Sequence, residues 1–135
     1  MTPVQAAEQA LKEGRTDAAL KSLQDGVRAK PADPKLRVFL FQLLCVLGQW
    51  PRAMTQLEVC GELDASTLPM VNTYREALKC ETLREAVFAL NDDPFFRGAL
   101  GPEFVDYYVF IKNAEIERFQ AEVSDWEHRE YFEMF

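Results

Sequence analysis

The sequence predicts an all-α protein: antiparallel helix pairs stacked as an α-solenoid, followed by a helical cap at the C-terminal end. Three observations predict this class. Apolar residues recur at helical spacing along the chain, the pattern of residues 14–23 returns in residues 48–57, and glycine and Asp-Pro pairs stand where helices would end and begin. With 135 residues, of which 48% are hydrophobic and 27% charged, the chain is long enough to bury a core without disulfides or metals.

The repeat is visible when the sequence is compared with itself at the offset that sets Gly14 over Gly48. The other aligned pairs are Ala19 with Ala53, Leu20 with Met54 and Leu23 with Leu57. A glycine, a small residue and a large apolar residue in this order, at a period of about 34 residues, are typical of tetratricopeptide repeats. The sequence therefore predicts two degenerate tetratricopeptide-like repeats.

Each repeated residue type has a mechanical role. We expect Gly14 and Gly48 to end the first helix of each pair with a positive φ. Ala19 and Ala53 lie where the helices of a pair would cross closely. Leu23 and Leu57 would fill the layer between neighbouring pairs, because a helix pair cannot bury its apolar face alone.

Five helices are predicted in this part of the chain, over residues 3–14, 17–30, 34–47, 51–63 and 68–90. The third is the most apolar, which predicts burial on several sides. On that helix Lys35, Phe39 and Gln42 recur on one face, one turn apart. Core packing is the simpler interpretation of Phe39, and a partner-binding groove formed by the three residues is the alternative.

The amino-acid composition changes near residue 84. Residues 1–83 hold 10 basic and 10 acidic residues, whereas residues 84–135 hold 5 and 12. Of the 16 aromatic residues, 12 follow position 83. We therefore predict two parts, with helical repeats over residues 1–90 and a helical C-terminal segment over residues 91–135.

Three further helices are predicted in the C-terminal segment. Asp93-Pro94 opens a short one, and an amphipathic helix follows over residues 103–123. Ser124 with Glu127 forms a capping box that opens the last. If the segment only caps the solenoid, aromatic and apolar side chains should pack on the helix over residues 68–90. These side chains are Phe104, Tyr108, Ile111, Phe119, Trp126 and Phe132.

Several function classes are disfavoured. A net charge of −7 argues against nucleic-acid binding, which needs clustered basic residues. No apolar run reaches the roughly 18 residues that span a membrane, and the N-terminus lacks the features of an export signal. We therefore expect a cytoplasmic protein without membrane or nucleic-acid partners.

Residues that could carry chemistry are scarce. Cys45, Cys60 and Cys80 stand among apolar residues without ligand spacing, so buried free thiols are expected rather than a metal or redox site. His128, the one histidine, stands beside Glu127 on a short terminal helix and is expected to be solvated. We predict no enzyme, no metal and no cofactor.

The first part also resembles a known family. The residues that carry the resemblance are 29–50, 52–53, 56–57, 62–64 and 74–78. Over about residues 4–88 the chain closely resembles the N-terminal half of the ImpE/TagJ family, the accessory proteins of bacterial type VI secretion. The resemblance implies a cytoplasmic, non-enzymatic adaptor whose partner is a secretion sheath component or its unfoldase. Members also have a second domain after the repeats, of which this sequence shows no trace.

The second part resembles a different family. The residues that carry this resemblance are 93–96, 100–108, 111–112, 114–115, 117–119, 124–127 and 130–135. Over about residues 83–135 the chain is similar to the C-terminal tail of glutamine synthetases and related γ-glutamyl ligases. In that family the catalytic sites lie upstream of this tail, so the resemblance assigns no catalytic residue here.

Two functional hypotheses follow from the two resemblances. The first is a non-catalytic protein–protein interaction module, truncated and fused to a ligase-derived tail. The alternative is an engineered or recombined chimeric scaffold with no natural partner. Both predict that residues 68–90 form one uninterrupted helix, because residues 76–90 fit either family in register. Self-association of the tail is a third, weaker possibility.

Overall fold

The computed structural model describes residues 1–122 together with Glu127 and Arg129. These residues form seven α-helices and no strand, as the sequence predicts. The helices are α1 (Pro3–Lys12), α2 (Thr16–Ala29), α3 (Pro34–Val46), α4 (Trp50–Leu63), α5 (Leu68–Asp92), α6 (Pro94–Leu100) and α7 (Pro102–Ala121), with a 3₁₀ turn at Ala65–Thr67 between α4 and α5. The chain divides into two compact units, unit 1 over Met1–Arg75 and unit 2 from Glu76 onward.

The division between the units falls inside α5. This helix continues from Leu68 to Asp92, so the segment over residues 68–90 is one helix, as both hypotheses require. The domain boundary at residue 90, which rests on composition, stays a prediction.

Side-chain caps fix where the helices begin. Thr2 and Gln5 form a capping box on α1, with each side chain bonded to the other's backbone N–H. Asp33 accepts hydrogen bonds from the N–H groups of Lys35 and Leu36 at 3.0 and 3.3 Å. Asp93 caps α6 in the same way, and a proline follows each aspartate at the first helical position. These bonds satisfy amides that have no partner within the helix.

The repeat reappears in how α1 and α3 end. Gly14 and Gly48 have φ values of +72° and +69°, a left-handed conformation that carries a steric cost for other residues. The following N–H turns back to the helix, from Arg15 to the carbonyl of Ala10 at 2.8 Å and from Gln49 to that of Leu44 at 2.9 Å. The two donors are 34 residues apart, and so are the two acceptors, so the second hydrogen bond repeats the first at the period of the sequence repeat.

Unit 1 is built from packed helix pairs. Helix α1 packs against α2 and α3 against α4, and α2 packs against α3 to join the pairs. Ala19, Leu23, Ala53 and Leu57 are all fully buried. The first half of α5 adds Val71, also fully buried, and Tyr74, whose ring meets that of Phe41 edge-on at 5.5 Å.

Helix α3 supplies the largest share of this core. Its buried residues are Leu36, Leu40, Phe41, Leu43 and Leu44. Arg37 donates to the Pro31 carbonyl at 2.7 Å and to the Gln56 side chain at 2.8 Å, which joins α3 to α4. Val46 is 79% exposed, so the expected burial of α3 on several sides does not extend to its last residue.

Unit 2 contains the second half of α5 with α6 and α7. Cys80, Leu83 and Val87 of α5 pack with Val109 and Ile116 of α7. Arg97 of α6 reaches both neighbours, with bonds of 3.0 Å to the Asn91 side chain and 2.9 Å to Asp106. The Arg97–Asp106 ion pair therefore joins α6 to α7.

One expectation for unit 2 is wrong. Phe104 and Tyr108 are 53% and 40% exposed, although the capping interpretation packs both on α5. The buried face of α7 is narrower than the capping interpretation expects: Val109 and Ile116 pack against α5, and Val105 is fully buried. The rings of Phe104 and Tyr108 instead stack on each other with centroids 6.2 Å apart. Trp126, Phe132 and the last predicted helix lie outside the described residues.

Truncating Leu57 tests the buried layer of unit 1. Leu57→Ala should lower the free energy of unfolding by about 2–5 kcal/mol, because the cavity left behind cannot fully collapse. Val46→Ala, at an exposed position, should change it by less than about 0.5 kcal/mol. Urea denaturation followed by circular dichroism measures both, and equal small effects would contradict the buried layer.

The left-handed conformation of Gly48 leads to a second testable prediction. Gly48 has a φ of +69°, where the Cβ of an L-residue would lie too close to the following carbonyl. Gly48→Ala should therefore lower the stability of the fold by roughly 1 kcal/mol. Gly98→Ala is the matched control, since Gly98 lies within α6 and its added Cβ meets no atom within 4 Å. Thermal melts of the two variants should separate clearly, and a stabilising Gly48→Ala would contradict the turn.

Candidate partner-binding groove

A groove in unit 1 runs along α3 beside the connection between α4 and α5. Its lining residues are Pro34, Lys35, Val38, Phe39, Gln42, Asp64 and Thr67, which enclose about 320 Å³. The structure thus brings Lys35, Phe39 and Gln42, selected from the sequence by their spacing, into one concave surface. Phe39 is half-buried while Lys35 and Gln42 are exposed, so part of the Phe39 side chain is covered and part faces the groove.

The start of α3 sets the position of these side chains. Because Asp33 caps the helix through the Lys35 and Leu36 amides, the first turn is held in register. Lys35, Phe39 and Gln42 then follow on successive turns of one face. Val38 lies next to them and adds a second half-buried apolar side chain.

Polar groups on the opposite wall bond to one another. The Asp64 carboxylate accepts from the Ser66 hydroxyl at 2.7 Å and the Ser66 N–H at 2.9 Å, and these bonds lower the pKa of Asp64. The Thr67 hydroxyl is within hydrogen-bonding distance of the carbonyls of Asp64 and Cys60, at 2.7 and 3.1 Å. Within residues 1–122, by contrast, the Lys35 ammonium forms no ion pair. The groove therefore combines an apolar floor with one available cation on its α3 side.

Sequence reasoning did not select the residues on the second wall of this groove. Asp64 and Thr67 come from the connection between α4 and α5, where the sequence analysis selects no groove residue. The pattern of an aspartate followed by a serine two residues later is a signal for a side-chain-capped turn. It predicts the local structure but not that the turn faces α3.

Neither a metal-type cluster nor a membrane-spanning helix is found among the described residues. Across residues 1–122 with Glu127 and Arg129, no three His, Cys, Asp or Glu side chains gather as a metal site would require. None of the helices described is long and apolar enough to cross a bilayer. His128 lies outside the described residues.

The cysteines are free thiols with suppressed reactivity. Cys60 and Cys80 are buried and Cys45 is half-buried, so full burial was correct for two of the three. Burial raises the pKa of all three thiols, and that of Cys45 to about 11. A raised pKa leaves little of the nucleophilic thiolate at neutral pH.

Alkylation kinetics test this environment. At pH 8 Cys45 should react with iodoacetamide about 100-fold more slowly than a cysteine of ordinary pKa, and its rate should still be rising at pH 10. The same chain in urea provides the reference rate, and mass spectrometry assigns the labelled site. A plateau below pH 9.5 would contradict the burial of Cys45.

Comparison with known families places the chain in two classes. Residues 10–70 match the tetratricopeptide repeat family, in agreement with the packed helix pairs of unit 1. Residues 61–131 match the family described as glutamine synthetase, catalytic domain. Because that match covers more than half of the chain, the chain belongs to this family through those residues.

Two individual relatives are each similar to part of this chain. The type VI secretion system accessory component TagJ of Pseudomonas aeruginosa is 58% identical over 92 residues, 68% of this chain and 33% of that protein. The glutamate–methylamine ligase of Methyloversatilis universalis is 42% identical over 55 residues, 41% of this chain and 12% of that protein. The two resemblances found in the sequence are thereby confirmed. The chain spans only a third or less of either relative.

The two matches overlap. Their aligned lengths of 92 and 55 residues together exceed the 135 residues of the chain. The family matches overlap as well, over residues 61–70. Some positions therefore satisfy both family patterns.

Proposed function

We propose that this chain is a non-catalytic protein–protein interaction module of a type VI secretion system, and that the groove along α3 binds its partner. The observation that carries the proposal is the placement of Lys35, Phe39 and Gln42 in one groove. Support comes from the tetratricopeptide class of unit 1 and from the identity with TagJ over 68% of the chain.

The groove favours a partner of particular chemistry. Its apolar surface, from Val38 and Phe39, suits a large apolar side chain of an amphipathic helix laid along α3. The Lys35 ammonium suits a carboxylate about one turn away on that helix, since a charged hydrogen bond is roughly twice as strong as a neutral one. By resemblance to the ImpE/TagJ family, the partner would be a sheath component or its unfoldase.

A second candidate function is a chimeric scaffold without a natural partner. It is favoured by the overlap of the two family matches within one chain. A scaffold of this kind would fold as described here and would bind neither sheath nor unfoldase.

Two substitutions in the groove test the proposal. Lys35→Glu and Phe39→Ala should each weaken binding to a sheath component about tenfold or more, which corresponds to at least about 1.4 kcal/mol. Lys35→Glu places a carboxylate opposite the partner's own, and Phe39→Ala removes the ring that the partner would contact. Isothermal titration of the full chain with purified sheath subunit and, separately, with the unfoldase measures the affinity.

Lys21→Glu is the matched control. Lys21 is exposed on α2 and does not line the groove, so the same change of charge there should leave affinity within about twofold. If wild-type protein bound neither component, the scaffold would be the better account. Equal weakening by Lys21→Glu and Lys35→Glu would show a general charge effect and remove the groove from the proposal.

A further inference from the structure

Helix α7 carries a row of apolar side chains on its solvent side. Phe104, Tyr107, Tyr108 and Ile111 recur at spacings of three, four and seven residues, which places them on one face of the helix. Phe104, Tyr107 and Tyr108 are 53%, 66% and 40% exposed. We refer to these four residues as the aromatic stripe. The groove along α3 uses none of them.

The same face changes character after Ile111. Glu115 and Arg118 of α7 continue the row at the next two helical positions. Glu115 is paired with Lys112 at 3.0 Å, and Arg118 forms no ion pair among residues 1–122. One half of the face is therefore aromatic and the other half is charged, with Ile111 between them.

We propose that a second copy of this chain covers the stripe, through antiparallel pairing of two α7 helices with Ile111 at the twofold axis. The geometry is self-complementary, as a twofold interface requires. The aromatic half of each copy meets the charged half of the other. The Arg118 guanidinium of one copy therefore lies over the Phe104 ring of the other, and the Tyr107 hydroxyl of one copy donates to the Glu115 carboxylate of the other.

Charge selects this arrangement over a parallel one. Parallel pairing would set Glu115 against Glu115 and Arg118 against Arg118, and like charges in such contacts oppose association. The antiparallel arrangement separates them along the helix. Because α7 has 20 residues, it is long enough for contact along the whole face.

Oligomeric state tests the proposal first. Sedimentation velocity of the full chain should show a concentration-dependent dimer with a dissociation constant below roughly 100 μM. Ile111→Arg should raise the dimer dissociation constant at least tenfold, because it places two like charges at the axis. Phe110→Arg is the matched control: Phe110 is 71% exposed on the same helix but faces away from the stripe, and its dimerisation should match wild type. A monomer at all concentrations, or equal effects of the two variants, would overturn the proposal.

Cysteine cross-linking tests the register. Ile111→Cys should form an intermolecular disulfide under mild oxidation, because each residue at the axis faces its own copy. Tyr107→Cys should not. Position 107 lies four residues from the axis, so the two substituted residues of the dimer are offset by about 12 Å along the helices, which is beyond disulfide reach. Cross-linking of both variants would indicate parallel pairing and cross-linking of neither would exclude the stripe; either result overturns the proposal. Wild-type protein, with its three free thiols of raised pKa, provides the background.

Discussion

The close approach of paired helices over alanine, with leucine filling the layer between pairs, is the constraint on which unit 1 depends. A single helix pair has an apolar face that it cannot bury by itself, so each pair is stable only against its neighbour. Ala19 and Ala53 keep the helices near enough for Leu23 and Leu57 to be fully buried. The groove follows from the same packing. The buried face of α3 packs against its neighbouring helices, while Lys35, Phe39 and Gln42 lie on the face that lines the groove.

Local signals explain what the sequence could predict. Asp33-Pro34 and Asp93-Pro94 mark helix starts because aspartate caps the exposed amides and proline fits the first turn. Gly48 marks a helix end because it adopts a positive φ, as residues that close helices commonly do. With these signals, the predicted first and last residues of the described helices agree with the structure to within about two residues.

Tertiary contacts account for what could not be predicted. Gly26 lies inside α2, where glycine disfavours a helix; a Cβ there would come within 2.8 Å of the Pro3 side chain. Asp64 and Thr67 reach the groove through a turn whose direction depends on the packing of α4. The exposure of Phe104 depends on how little of α7 its neighbours in unit 2 cover. Periodicity and capping patterns in the sequence do not specify any of these tertiary contacts.

The two surfaces assigned to this protein lie in different units, and they have different chemistry. The groove in unit 1 combines an apolar floor with a cation, whereas the aromatic stripe in unit 2 matches its own charged continuation. The two family matches overlap over residues 61–70, which run from the end of α4 through the 3₁₀ turn to the start of α5. Amide hydrogen exchange tests the central packing most directly. The account predicts that Leu23 and Leu57 are protected to the same free energy, since the two pairs open together. Exchange of either amide at the rate of an unstructured chain would contradict it.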